Sequence, residues 1–227
     1  MKRLDKKKKQ YLELISLATI IIITILFWET FLIYPIKLFV VTLHEISHGI
    51  AAILSGGTVE SLDIGLNLGG VCISGGGDQI FIASSGYLGS FLFGSAIFYS
   101  AYNYKLGKWI LLSTALILFI FLVNTSANTT FILVSILLIA ILTLVNYFLP
   151  KLVFNYLVKS IGLISCIYVI VDIKEDLLSE SVITSDAVII ENLTGINSYL
   201  IALIWLVISL IGIAFLIRQG LKKGINY

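Results

Sequence analysis

The sequence predicts an all-α polytopic integral membrane protein of about seven transmembrane helices (six to eight), with a small glycine-rich β-hairpin or loop after the second span. Three observations carry this. Hydrophobic residues make up 59% of the 227 and charged residues 12%, where soluble domains run at roughly half and a quarter. Mean hydropathy is +1.05, more apolar surface than a soluble fold of this length can hide, so the solvent is lipid. Seven apolar stretches of about 15–24 residues recur along the chain, near the length a helix needs to cross the hydrocarbon.

The chain opens on a basic tail, residues 1–11, with six lysines and arginines among its first nine positions. An apolar stretch over 12–28 follows. A secretory signal peptide opens in the same way, but this stretch runs out through Phe27, Trp28 and Glu29 with no small-x-small cleavage pattern. It reads as an uncleaved anchor whose basic end lies in the cytoplasm. Further apolar stretches cover about residues 31–54, 83–102, 109–123, 131–149, 152–171 and 199–217. A polar link over 124–130 and the Pro150-Lys151 pair break two of the junctions.

Two segments are too polar to span. In the glycine-rich 55–82, two β-rich runs at 59–66 and 71–73 flank Asn67, Leu68, Gly69 and Gly70. They form either a hairpin beside the second span or an interfacial loop. Residues 172–197 hold six of the 13 acidic residues and read as an acidic loop. No internal repeat is visible, and residues 1–227 read as a single membrane-embedded domain. Sidedness is less simple. Seven crossings would leave seven basic residues in the cytoplasm and six outside, almost no bias. One re-entrant segment would bring the basic C-terminal residues to the side of the tail.

The net charge of +2 is largely local to the tail, which excludes a nucleic-acid-binding surface. Two cysteines, Cys72 and Cys166, are too few for a disulfide framework. The informative residues are the only two histidines, in the run His44, Glu45, Ile46, Ser47, His48. On a helix, positions i and i+4 share a face, so both imidazoles can converge on one zinc ion. Glu45 between them can take a proton from a water activated there and later pass it to a leaving amine. This is the HExxH signature of zinc peptidases. Its setting sharpens it, because ionisable groups in an apolar span are costly and functional by default. A catalytic zinc usually has three protein ligands. With no third histidine the missing one should be a carboxylate: Asp172, Asp176, Asp186 or Glu191 in the late polar segment, or Asp63 or Asp78 nearer the motif.

Three stretches then resemble the site-2-protease family of intramembrane zinc metallopeptidases, in its small bacterial-type branch. The first runs from Thr42 through the histidine motif to Ala52 and on through Ser55, Gly56, Gly57 and Thr58. The second joins Gly69, Gly70 and Val71 to the Gly86, Tyr87, Leu88, Gly89 run. The third comprises Asp172-Ile173, Ser185-Asp186-Ala187, Thr194-Gly195 and Trp205. The resemblance implies a zinc-dependent metalloendopeptidase of the cell membrane that hydrolyses peptide bonds of membrane-spanning or membrane-associated substrates. Zinc would be held by His44, His48 and an aspartate, with Glu45 as general base. Well-known members take that aspartate from a Leu-Asp-Gly or Asn-Pro-Asp-Gly motif, and neither occurs here. Ser185-Asp186-Ala187 is the counterpart, which points to Asp186, with Asp172 as the first alternative.

Other features have structural readings. Gly86, Ser90 and Gly94 recur every four residues and suit close helix packing. Tyr87 reads as an interfacial anchor. Lys159, inside an apolar span, is expected to snorkel rather than to pair with a carboxylate. Two other functions compete with the protease: a membrane metal-binding or transport protein, and an inactive relative acting as a binding scaffold. Nearly uncharged spans count against the first, and the presence of Glu45 counts against the second.

Overall fold

The computed structural model describes residues 5–178 and 185–224. The chain is a multi-pass integral membrane protein. Seven of its helices are long and apolar enough to cross a membrane: α1 (Lys6–Leu26), α2 (Tyr34–Leu54), α3 (Gln79–Ser100), α4 (Tyr104–Asn124), α5 (Thr129–Phe148), α6 (Lys151–Leu178) and α8 (Ser198–Lys223). A short helix, α7 (Asp186–Thr194), precedes the last of them. Small polar caps mark where helices start. Asp78 accepts from the Phe81 amide at 2.9 Å for α3, Asn128 from that of Phe131 at 2.8 Å for α5, and Asn197 from that of Tyr199 at 3.0 Å for α8. Each satisfies an amide that the helix leaves without a partner, which matters most where water is scarce.

The glycine-rich segment is a hairpin. Strand β1 (Thr58–Ile64) pairs antiparallel with β2 (Gly70–Gly75), with a register shift between Val59 and Ser61. A two-residue strand inside the 124–130 link, β3 (Ser126–Ala127), pairs in parallel with Ser61 and Leu62, giving the order β2-β1-β3. Asn128 bolts the junction: its amide donates to Asp63 at 2.7 Å, and its side chain donates to the Ile64 carbonyl at 2.9 Å. β2 is therefore an edge strand.

The acidic segment departs from the loop expected over 172–197. α6 continues through Asp172 and ends at Leu178, and α7 occupies 186–194. Hydropathy registers where lipid ends, whereas a helix can continue past that point. Ser185 caps α7, and Gly195 ends it at φ 74°, a left-handed conformation that suits glycine.

Lys159 does not snorkel. Its ammonium donates to both carboxylate oxygens of Glu13 in α1, at 2.8 and 2.7 Å, with both side chains buried. The Tyr102 hydroxyl donates to the same carboxylate at 2.5 Å. A charge at this depth is tolerated because it is fully paired, and the pair ties α1 to α6.

Candidate metal centre

α2 is the most enclosed of the seven apolar helices, and the histidine motif lies in its buried stretch. His44 and His48, one turn apart, have ring centroids 4.8 Å apart. α7 delivers Asp186 to them from the other end of the sequence. Its Oδ2 lies 3.1 Å from His44 Nε2 and 3.3 Å from His48 Nε2. One ligand atom from each of the three lies within 4.8 Å of the others. Asp186 is thus the candidate carboxylate that the fold brings to both imidazoles. Asp172 lines the same cleft without joining the triad, while Asp63 binds the Asn128 amide and Asp78 caps α3.

Surrounding contacts orient these groups. The Ile82 carbonyl lies 2.7 Å from His48 Nδ1. A carbonyl can only accept, so Nδ1 carries a proton, and this bond turns Nε2 toward Asp186 and the shared centre. The His44 ring stands edge-on to Tyr87 at 4.7 Å, and Tyr87 packs on Trp205 at 5.2 Å. Tyr87 is therefore a buried wall of the site, 4% exposed, rather than an interfacial anchor. Asp186 Oδ2 and His44 Nδ1 are buried with no hydrogen-bond partner among the described residues. Burial alone would raise the Asp186 carboxyl, but the two imidazoles beside it, His48 and His44, hold it well below the usual carboxylate range. An ionised carboxylate with an unsatisfied oxygen, facing two largely buried imidazoles, fits a divalent cation.

Close packing explains two glycines. A side-chain carbon at Gly86 would lie 2.6 Å from Cε1 of both His44 and His48. One at Gly70 would lie 2.5 Å from Glu45 Oε1. Of the small-residue series in α3, Gly94 faces Ser165 and Cys166 of α6 as scaffold, whereas Gly86 lies directly against the imidazoles of the candidate metal centre. Gly86→Ala is expected to weaken metal affinity by about 10–100-fold, the usual penalty for disturbing the groups that orient ligands. Competition against a chelator measures this, with Gly94→Ala as a packing control that keeps its affinity.

Glu45, 6% exposed, faces the backbone of Cys72 in β2. Burial first, and the Glu45 charge second, push the Cys72 thiol up to about 12. The cleft measures about 740 Å³ and is lined by all three candidate ligands, Glu45, and β2 from Gly70 to Ser74. It brings together a candidate metal centre, an acid beside it and an edge strand along one wall.

The sequence profile of the Peptidase M50B-like family matches residues 17–216. The chain belongs to this family. It is site-2-protease-like over most of its length, as the three resembling stretches imply, and the family is one of peptidases. No curated protein and no solved structure matches the chain. Within this M50B-like chain, the histidines, Glu45 and Asp186 expected from the sequence lie together in one cleft. Sequence reasoning missed the Ile82 carbonyl and the close approach of Gly70. Gly86, Tyr87 and Trp205 stood among the resembling residues, and the place of the first two against His44, with Trp205 behind Tyr87, required the fold.

Proposed function

We propose that the protein is an intramembrane zinc metalloprotease that hydrolyses peptide bonds of membrane-spanning or membrane-associated substrates. The observation that carries this reading is the meeting of Asp186 with His44 and His48 beside Glu45, inside a cleft walled by the edge strand β2. His44, His48 and Asp186 would hold the ion, which when bound supplies a Lewis acid and lowers the pKa of water. Glu45 takes the proton of the attacking water and returns it to the leaving amine. Its burial keeps competing water away and strengthens its interaction with the imidazoles.

A transmembrane substrate presents a further difficulty, because its peptide bonds are locked in helical hydrogen bonds. An unwound segment must find replacement partners, since unpaired backbone is costly at membrane depth. The outer edge of β2 runs along the cleft and can supply them by strand addition. Gly70, lying against Glu45, brings the edge close to the acid.

The test is cleavage of a transmembrane peptide by the purified full chain in liposomes. Activity should vanish with 1,10-phenanthroline and return on adding zinc. Activity that withstands exhaustive chelation would refute the assignment.

A further inference from the structure

The helical bundle has two chemically unlike ends. Contacts identify the first. Glu13, early in α1, meets Lys159 early in α6 and Tyr102 just beyond α3. Lys223 at the end of α8 lies 3.5 Å from the centre of the Tyr99 ring near the end of α3. Asn146, late in α5, donates to the Lys108 carbonyl early in α4 at 2.8 Å. The starts of α1, α4 and α6 and the ends of α3, α5 and α8 therefore lie together.

Basic residues concentrate there. Lys6 to Lys9 open α1, Lys105 and Lys108 open α4, and Lys151 opens α6. Arg218, Lys222 and Lys223 close α8. Apart from Glu13, paired with Lys159, the acid at this end among the described residues is Asp5. The opposite end carries the metal centre, with Lys37 and Lys174 as its basic residues among those described. Acids stand on its loops and strands as well as its helices, including Glu29, Glu60, Asp63, Asp78, Glu175 and Glu191.

Seven alternating crossings would mix these two populations. α2 prevents it by keeping both of its ends at the metal end. Near its start, the Lys37 ammonium sits 4.5 Å from the centre of the Trp28 ring, which follows α1 and packs on Tyr168 in the later half of α6. Also at its start, the Tyr34 hydroxyl donates to the Leu66 carbonyl in the hairpin turn. At its other end, Ser55 Oγ accepts from the Asp78 amide at the head of α3, at 3.0 Å. The hairpin, which runs from the end of α2 back to its start, stays at that same end.

We propose that the basic end is a docking surface for the anionic headgroups of the cytoplasmic leaflet, and that the metal cleft opens on the extracytoplasmic side. Lysine and arginine flanking membrane helices are retained in the cytoplasm, whereas acids have little say in orientation. An anionic leaflet then attracts the same residues. α2 enters and leaves from the extracytoplasmic side, and six helices cross. Resting on the peptidase reading above, this narrows the substrates to peptide segments reached from the extracytoplasmic half of the bilayer.

The test labels single added cysteines in the full chain with a membrane-impermeant maleimide, in intact and in lysed spheroplasts. Ile196→Cys lies in the exposed link between α7 and α8, and Lys105→Cys lies at the basic end. The parent chain supplies the background, kept low because Cys166 is buried and burial pushes the Cys72 thiol up to about 12. Ile196→Cys should react in intact spheroplasts, and Lys105→Cys only after lysis. The reverse pattern, or equal reaction of both before lysis, overturns the proposal. Fusions after residue 227 decide independently of either variant: a fused green fluorescent protein should glow and a fused alkaline phosphatase should be inactive. An active phosphatase overturns the proposal. Neither readout needs catalysis, so loss of the peptidase reading and loss of this orientation are separable.

Discussion

Glu45→Gln is expected to lower the rate of peptide cleavage by about 10²–10⁴-fold, the range that general acid–base groups contribute, while the purified protein keeps its metal. The amide preserves the shape of the side chain against Gly70 and the Cys72 backbone but cannot accept the proton of the attacking water. Glu45 is also outside the His44, His48 and Asp186 group, so metal content should not follow activity. Parallel assays of turnover and bound zinc separate the two. Loss of both together would make Glu45 a ligand or a folding residue, and undiminished cleavage would remove it from the chemistry.

The second large effect lies far from the metal. Lys159→Ala should destabilise the protein by about 3–5 kcal/mol, because it strands the Glu13 carboxylate in the apolar interior. Thermal unfolding in detergent should fall accordingly. The combined variant Glu13→Leu with Lys159→Met removes both charges at similar volume and should recover most of the loss. If the double variant is as unstable as the single one, the pair contributes through something other than compensated charge, and the Tyr102 hydrogen bond to Glu13 becomes the first suspect.

The contrast between these residues shows what the sequence makes legible. The histidine pair is a local pattern: four residues on one helix fix a shared face whatever the rest of the chain does. The spans are equally local, since hydropathy is read window by window. Lys159 was misread because its partner lies 146 positions away, and no windowed pattern connects them. β3 was missed for the same reason. Ser126 and Ala127 carry no strand signal and extend only because Ser61 and Leu62 offer a parallel edge. The third candidate ligand falls between these cases. Chemistry demanded a carboxylate and resemblance favoured Asp186, but the choice over Asp172 depends on α7 turning its first residue toward α2. The caps of α7, Ser185 and Gly195, were visible in the sequence and would have revealed the short helix within the acidic segment.

The central claim is that His44, His48 and Asp186 hold one divalent ion. Zinc content per chain, measured on purified wild type and Asp186→Asn after equal dialysis, tests it most directly. Wild type should carry one equivalent. Asp186→Asn should lose most of it, because an amide oxygen is a far weaker ligand than an ionised carboxylate. A full equivalent retained by Asp186→Asn at wild-type affinity, or none bound by the wild type, would contradict the claim.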